Sequence, residues 1–140
     1  MWAVGNESGA VWVYTVSGQL LGQLQDNYGD VNNIAWSPDG KFLAGGDSLW
    51  QFDEQTFKLR TVIMSGSVSS LAWSPDSKWI ASANNGMYVR VSDTEGHQIA
   101  ALTGHNNAVQ VLAWSPDGRT LASGSVDHTV RLWDMTRLPG

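Results

Sequence analysis

The sequence predicts an all-β fold in which one four-stranded antiparallel unit is repeated about three and a half times, and three observations predict it. The first is a repeated signature. AWSPDG stands at 35–40 and again at 113–118, with AWSPDS at 72–77, so Trp36, Trp73 and Trp114 are spaced 37 and 41 residues apart. The second is a register with the same period: ASGSVDHTVRLWD (122–134) aligns without gaps on ASANNGMYVRVSD (81–93) and on AVGNESGAVWVYT (3–15). The third is the pattern inside each period. VQVLAW (109–114), RTLASG (119–124) and TVRLWD (129–134) are short runs rich in Val, Leu and Trp, separated by Gly, Asp, Pro and Ser, as strands and turns require. No window carries apolar residues at helical spacing across the Pro-Asp-Gly breaks.

Each period is expected to hold four strands in order. An inner strand ends at the Trp, a second follows the Pro-Asp turn, a third ends near Trp-Asp, and an outer strand such as QIAALT (98–103) completes the sheet. The inner strand is apolar at nearly every position, which predicts burial on both faces by neighbouring sheets. The copy AGGDSLWQFD (44–53) is three residues short, so its turn must be abridged. In SPDG, proline pre-sets φ, Asp hydrogen-bonds nearby backbone, and Gly takes positive φ at no steric cost. The motif therefore reads as turn chemistry rather than a carboxylate site. At 72–77 Ser77 stands where the other copies have Gly, so that turn must change conformation or bear a small strain.

Composition bounds the function. The 140 residues fit one domain, 42% of them are apolar, and 8 Lys+Arg against 13 Asp+Glu leave a net charge of −5. Such a chain buries a core but has no general basic field for nucleic acid or an anionic membrane. Without cysteine there is no disulfide framework, Cys-ligated zinc or thiol nucleophile. The start MWAVGNESGA lacks the basic and apolar segments of a signal peptide, and no run approaches the roughly 18 apolar residues of a membrane span. The expectation is a soluble chain, with the cytoplasm as default compartment.

The segment GHNNAVQVLAWSPDGRTLASGSVDHTVRLWD (104–134) resembles a nearly complete WD-repeat, with Gly-His near its start and Trp-Asp at its end. The resemblance is weaker over 64–93, where Ser92-Asp93 replaces Trp-Asp, and weaker again over 28–53 and 1–15. It implies a β-propeller whose blades of four antiparallel strands surround a channel. On that frame the blades fall at approximately 1–27, 28–64, 65–103 and 104–140 of a single domain. The expected strands number 14, distributed three, four, four and three. This is about three and a half blades, fewer than the 4–8 of a closed ring, so the expectation is either an excerpt of a longer propeller or closure by self-association through the incomplete blades.

His105, Ser123 and Asp127 have the residue types of a Ser-His-Asp hydrolase. The resemblance instead implies a structural tetrad of His105, Ser123, Asp127 and Trp133, hydrogen-bonded inside the blade, and no surrounding turn resembles a nucleophile elbow. The other copies lack it: 81–93 has Ser82 but Gly86 and Ser92, and 3–15 has Val4, Ser8 and Tyr14. His97 and His128 sit in turns, no His or carboxylate pairing has metal spacing, and no cofactor or catalytic residue is expected. Asn6-Glu7-Ser8 matches a glycosylation acceptor but reads as a hairpin turn. Of the eight tryptophans, Trp36, Trp73, Trp114 and Trp133 fall at core positions, while Trp2, Trp12, Trp50 and Trp79 stay undecided.

For partners, the resemblance implies contacts four and six residues before each inner-strand Trp and just before the tetrad Asp. Carried over, the candidate face is Asp30, Asn32, Ser67, Ser69, Asn85, Ala108, Gln110 and Val126, with Glu7 as a further position. The set is small and polar, without a basic cluster. The function expected is a non-catalytic scaffold for a protein or peptide partner, with neither nucleic acid nor membrane. Two alternatives remain open: a propeller accessory to a hydrolase or a periplasmic system, and a carbohydrate-binding propeller using exposed tryptophans.

Overall fold

The computed structural model describes residues 1–25, 30–53, 56–63 and 67–139. Among the described residues fourteen strands form four antiparallel sheets. The first holds β1 (Trp2–Gly5), β2 (Ala10–Tyr14) and β3 (Leu20–Gln25). The second holds β4 (Ile34–Trp36), β5 (Phe42–Gly45), β6 (Ser48–Asp53) and β7 (Thr56–Val62), and the third β8 (Val68–Trp73), β9 (Ile80–Asn84), β10 (Tyr88–Ser92) and β11 (Gln98–Thr103). The fourth holds β12 (Val109–Trp114), β13 (Thr120–Ser125) and β14 (Val130–Asp134). Strand order within each sheet follows the chain, so every sheet is a meander closed by short turns. The abridged copy turns through Gly46-Asp47 alone, with Gly45 directly opposite Ser48.

Three of these turns share one hydrogen-bond network, at the AWSPD motifs. The Ser37 hydroxyl donates to Asp39 Oδ1 (2.6 Å) and accepts the Phe42 N–H (2.9 Å), while Asp39 Oδ1 accepts the Lys41 N–H (3.0 Å). Ser74 and Asp76 repeat this with Trp79 and Lys78, and Ser115 and Asp117 with Thr120 and Arg119. Each motif links its own first and second strands. Gly40 and Gly118 take φ of 72° and 71°, and Ser77 holds the same left-handed conformation at 61°. A side chain there costs about 1 kcal/mol or more, and Ser77 offsets it by accepting the Asp39 N–H at 3.0 Å from the preceding sheet's turn.

The core lies between sheets rather than within one. Val11, Val13, Val31, Leu43 and Trp50 fill the space between the first and second sheets. Ala44, Leu49, Ile63, Trp73 and Ile80 fill that between the second and third, and Ala81, Ala83, Val89, Val91, Val109, Leu112 and Leu121 that between the third and fourth. Each fully buried aliphatic side chain contributes about 1.5–3 kcal/mol, so stability rests on neighbour-to-neighbour stacking. The inner-strand tryptophans also bond across the gaps: Trp73 Nε1 donates to the Ala35 carbonyl (3.1 Å) and Trp114 Nε1 to the Ala72 carbonyl (3.0 Å). Of the undecided tryptophans, Trp50 is core, Trp12 and Trp79 are half-buried, and Trp2 is exposed. At the periphery Arg60 pairs with Glu95, and Gly96 takes φ 89°, a left-handed conformation in which a side chain is strained and a Cβ would crowd Thr61 of β7.

One expectation needs correction. The inner strand β12 is buried on one face only: Val109 and Leu112 are buried, whereas Gln110, Val111 and Ala113 are exposed. Val130 and Leu132, on the same open face, are each 72% exposed. No described residue packs a further sheet against that side, so the apolar pattern that buries β8 leaves β12 half uncovered.

Candidate functional site

His105, Ser123, Asp127 and Trp133 come together in the fourth sheet, the loop before β12 carrying His105 onto β13 and β14. His105 Nδ1 lies 2.8 Å from Asp127 Oδ2 and its Nε2 lies 2.8 Å from Ser123 Oγ, while Trp133 Nε1 donates to the same Oγ at 2.8 Å. One proton arrangement satisfies every group: indole N–H to Ser123, Ser123 O–H to Nε2, and Nδ1–H to the carboxylate. The Thr129 hydroxyl, together with the Asn106 N–H, His105 and the Thr129 N–H, holds the Asp127 carboxyl well below the usual carboxylate range. An ionised Asp127 fixes the imidazole tautomer.

These contacts also match the relay of a hydrolytic triad, but the groups that make them are enclosed. Ser123 is 1% exposed and the His105 side chain 0% exposed. The Ser123 oxygen accepts the indole N–H and faces the imidazole, so both of its hydrogen-bonding roles are taken up inside the sheet. In the third sheet the corresponding place is rebuilt: Arg90 Nε donates to Ser92 Oγ (3.0 Å) and Arg90 Nη2 to the Gly96 carbonyl (2.9 Å). In the first sheet Tyr14 holds the place of Trp133 and stacks on Trp2 at 4.2 Å, while Ser8 bonds to Asn6. His97 is exposed and pairs with Asp93 (2.9 Å), and His128 is exposed in its turn. The Asn6 side chain accepts the Ser8 N–H, the Ser8 hydroxyl and the Ala10 N–H, which makes Asn6-Glu7-Ser8 a hairpin turn.

The candidate partner residues lie at the opposite end of the sheets from the AWSPD turns. Asp30, Asn32, Ser67, Asn85, Gln110 and Val126 are exposed, as is Glu7, while Ser69 and Ala108 are half-buried. A β-bulge interrupts β8 between Val68 and Ser70 and β12 between Val109 and Val111, so Ser69 and Gln110 are the extra, unpaired residues. Bulges re-aim side chains. Gln110 is turned to solvent, whereas the Ser69 hydroxyl bonds to the Val109 carbonyl (2.8 Å), with the Ala83 carbonyl at 3.1 Å. Ser69 thus fastens neighbouring sheets.

Other bonds fasten the same rim: the Val31 N–H to the Asn6 carbonyl (3.0 Å), the Val109 N–H to Gly86 (3.1 Å), and the Val126 N–H to Ala108 (2.9 Å). Two contributors escape the sequence reading. Asn33 Nδ2 donates to the Ser69 carbonyl at 2.7 Å, and Ser70 Oγ accepts the Leu112 N–H at 3.0 Å. Both lie three residues before an inner-strand Trp. The available signal was a polar residue three positions before the Trp in two of the three copies.

A cleft of about 210 Å³ opens at the other end, between Pro75, Asp76, Trp79, Asp117 and Leu138. It falls below the roughly 300 Å³ at which small-molecule sites begin. Among the described residues no three His, Asp or Glu side chains gather as metal ligands.

Comparison with known families follows the strand pattern. Residues 57–93 and 96–134 match the family model described as WD domain, G-beta repeat. Residues 1–49 match that described as the anaphase-promoting complex subunit 4 WD40 domain. No curated protein matches the chain. Each G-beta match begins on the outer strand of one sheet, β7 or β11, and runs through the first three strands of the next. With that phase, and with sheets of up to four antiparallel strands stacked in chain order, the chain belongs to the WD-repeat family and its sheets are the blades of a β-propeller.

Proposed function

We propose that the chain is a non-catalytic scaffold that binds a protein or peptide partner across the bulged rim, through Asp30, Asn32, Ser67, Asn85, Gln110 and Val126. Repeats of this family generally serve as protein-interaction scaffolds. The observation that carries the reading is the rim itself: exposed polar side chains stand on backbone held by sheet-to-sheet bonds, so little conformational freedom is lost on binding. The Ser-His-Asp chemistry, in contrast, is enclosed. Ser69 and Ala108 support the rim from beneath, and with no basic cluster the partner surface is neutral or mildly positive. Exposed tryptophan, which a carbohydrate platform needs, is confined to Trp2.

The test compares two surface variants as bait. Asn32→Ala/Asn85→Ala/Gln110→Ala alters the rim, and Lys78→Ala/Arg119→Ala alters the far end. A partner retained by the parent and the far-end variant but lost by the rim variant is expected. Equal retention by all three overturns the rim assignment. Labelling of Ser123 in the folded chain by a serine-directed fluorophosphonate would overturn the non-catalytic reading. A second mode of binding, self-association, is favoured by the apolar faces of the end blades, where Val111, Val130 and Leu132 are exposed on one and Trp2, Val4 and Leu20 on the other. Light scattering that stays monomeric across concentration removes it.

A further inference from the structure

Three hairpin turns at the bulged rim are built on one bond. The residue leading out of β1, β9 or β13 accepts, through its side-chain oxygen, the N–H two residues on: Asn6 Oδ1 from Ser8 (3.0 Å), Asn84 Oδ1 from Gly86 (2.8 Å) and Ser125 Oγ from Asp127 (3.1 Å). Between acceptor and donor stands an exposed residue, Glu7, Asn85 or Val126. Of these three, Asn85 is the carboxamide, and the residue after it is glycine.

An asparagine side chain is an electrophile within reach of the next residue's backbone nitrogen, and the attack closes a five-membered ring inside one chain, where proximity favours it. It needs a carboxamide that is free to turn and a nitrogen that no side chain covers. Asn6, Asn33, Asn84 and Asn107 are each committed to hydrogen bonds. Asn32 and Asn106 are followed by Asn33 and Asn107, whose side chains stand beside the attacking nitrogen. Asn85 is exposed, its carboxamide makes no hydrogen bond among the described residues, and Gly86 leaves its nitrogen bare and its backbone adaptable. One group opposes the reaction. The nitrogen must lose its proton before it attacks, and that N–H is donated to Asn84 Oδ1.

We propose that Asn85 is a site of spontaneous covalent modification, in which its side-chain amide is lost as ammonia, and that Asn84 governs the rate. A solvent base takes the Gly86 N–H proton, the nitrogen bonds to Asn85 Cγ, and the bond from Cγ to the amide nitrogen breaks. The leaving nitrogen takes a proton from solvent and departs as ammonia. One water then opens the cyclic imide at either carbonyl, giving aspartate or, with the main chain rerouted through Cγ, isoaspartate at position 85. The net exchange is one water for one ammonia, with nothing oxidised or reduced. Either product adds a negative charge to the rim, and isoaspartate adds a carbon to the main chain. That carbon enters beside a bond between sheets, because the Gly86 carbonyl accepts the N–H of fully buried Val109 at 3.1 Å. The change is slow and one-way, and it does not rest on the rim's binding a partner.

The test incubates the 140-residue chain and the synthetic peptide WIASANNGMYVR at mildly alkaline pH; the peptide has the sequence of residues 79–90, the fragment trypsin releases between Lys78 and Arg90. After digestion beside a control that was not incubated, mass spectrometry reads amide-to-acid conversion and fragmentation assigns it to 84 or 85. An isoaspartate-specific methyltransferase separates the two products. Conversion at 85 to both products is expected, slower in the folded chain than in the free peptide. Asn84→Ala should speed it in the folded chain about 3- to 10-fold, the equivalent of one hydrogen bond. Asn84→Ser, which supplies the kind of acceptor that Ser125 provides, should return it toward the parent rate. Should Asn84→Ala not fold, Asn84→Ser and the folded-to-peptide rate ratio still decide. The proposal is overturned if Asn85 keeps its amide in the folded chain after the peptide has converted, if conversion falls on 84, if aspartate forms without isoaspartate, or if folded Asn84→Ala converts at the parent rate.

Discussion

Deleting a single oxygen from the tetrad, Ser123→Ala, isolates what that network contributes. The side chain is 1% exposed, so its loss opens a space no larger than one hydroxyl. Two partners then lose their bonds, the Trp133 N–H at 2.8 Å and His105 Nε2 at 2.8 Å. One net hydrogen bond is worth about 0.5–1.5 kcal/mol, and a buried group left unpaired costs about 1–3 kcal/mol. The expected destabilisation is about 2–3 kcal/mol, or a fall in Tm of roughly 6–10 °C at this size. Urea denaturation followed by tryptophan fluorescence gives the first number and near-ultraviolet circular dichroism the second. Trp133→Phe removes the donor along with the ring nitrogen, so the double variant should lose less than the sum of the singles by about 1 kcal/mol. A single-variant loss below about 0.5 kcal/mol, the range of an ordinary surface change, would show that the four groups are adjacent without being coupled.

Three further outcomes are expected. Ser77→Ala should destabilise by about 1 kcal/mol, because it forfeits the Asp39 N–H while keeping a Cβ at φ 61°. Ser77→Gly should lie within about 0.5 kcal/mol of the parent, since relief of the left-handed strain offsets the lost bond; equal effects of the two in chemical denaturation would contradict the strain, and a neutral Ser77→Ala would contradict the cross-sheet bond. Trp73→Phe and Trp114→Phe should each cost about 1 kcal/mol for the lost bond plus a packing term, with amide exchange accelerating in the two sheets that flank the substitution; acceleration confined to one sheet would count against the bond between sheets.

Acid should lower the stability of the chain in a defined window. Burial opposes ionisation of Asp39 and Asp76, but the Ser37 and Ser74 hydroxyls with the Lys41 and Lys78 N–H groups outweigh it. The Ser115 hydroxyl does the same for Asp117, and the Thr129 hydroxyl leads for Asp127. All four carboxyls sit below their unfolded value of roughly 4. Their stabilisation is therefore present above that pH and declines as pH falls toward the folded values. Urea midpoints should be flat for these groups from pH 7 to 5 and drop below about pH 4; a midpoint unchanged at pH 3 would refute the assignment.

The sequence carried most of the strand plan because turns and tryptophans are side-chain features. Trp36, Trp73 and Trp114 mark the inner strands, and Ser-Pro-Asp marks where each chain segment reverses. The tetrad was readable for 104–134, where all four residue types are present, and the rim positions could be numbered from the same tryptophans. Features that depend on backbone were not readable. The acceptors of Trp73 and Trp114 are carbonyls of alanines, which look like any other alanine in sequence. The bulges at Ser69 and Gln110 add a residue without a distinctive type, and they send two residues at matching positions in different directions. Burial of β12 was misjudged for a related reason: an apolar strand states its preference, and only a neighbouring sheet fulfils it.

The phase difference between the sequence match and the blade bears on how such a chain can grow. Because 96–134 contains β11 of one sheet and β12 to β14 of the next, the unit read along the gene is a cyclic rearrangement of the unit that folds. A duplication of one period therefore yields one additional blade wherever its breakpoints fall, since any four consecutive strands contain one of each kind. Length can change by whole blades without selecting for where recombination cuts, and each inserted period arrives already covalently tied to the sheets on both sides of it.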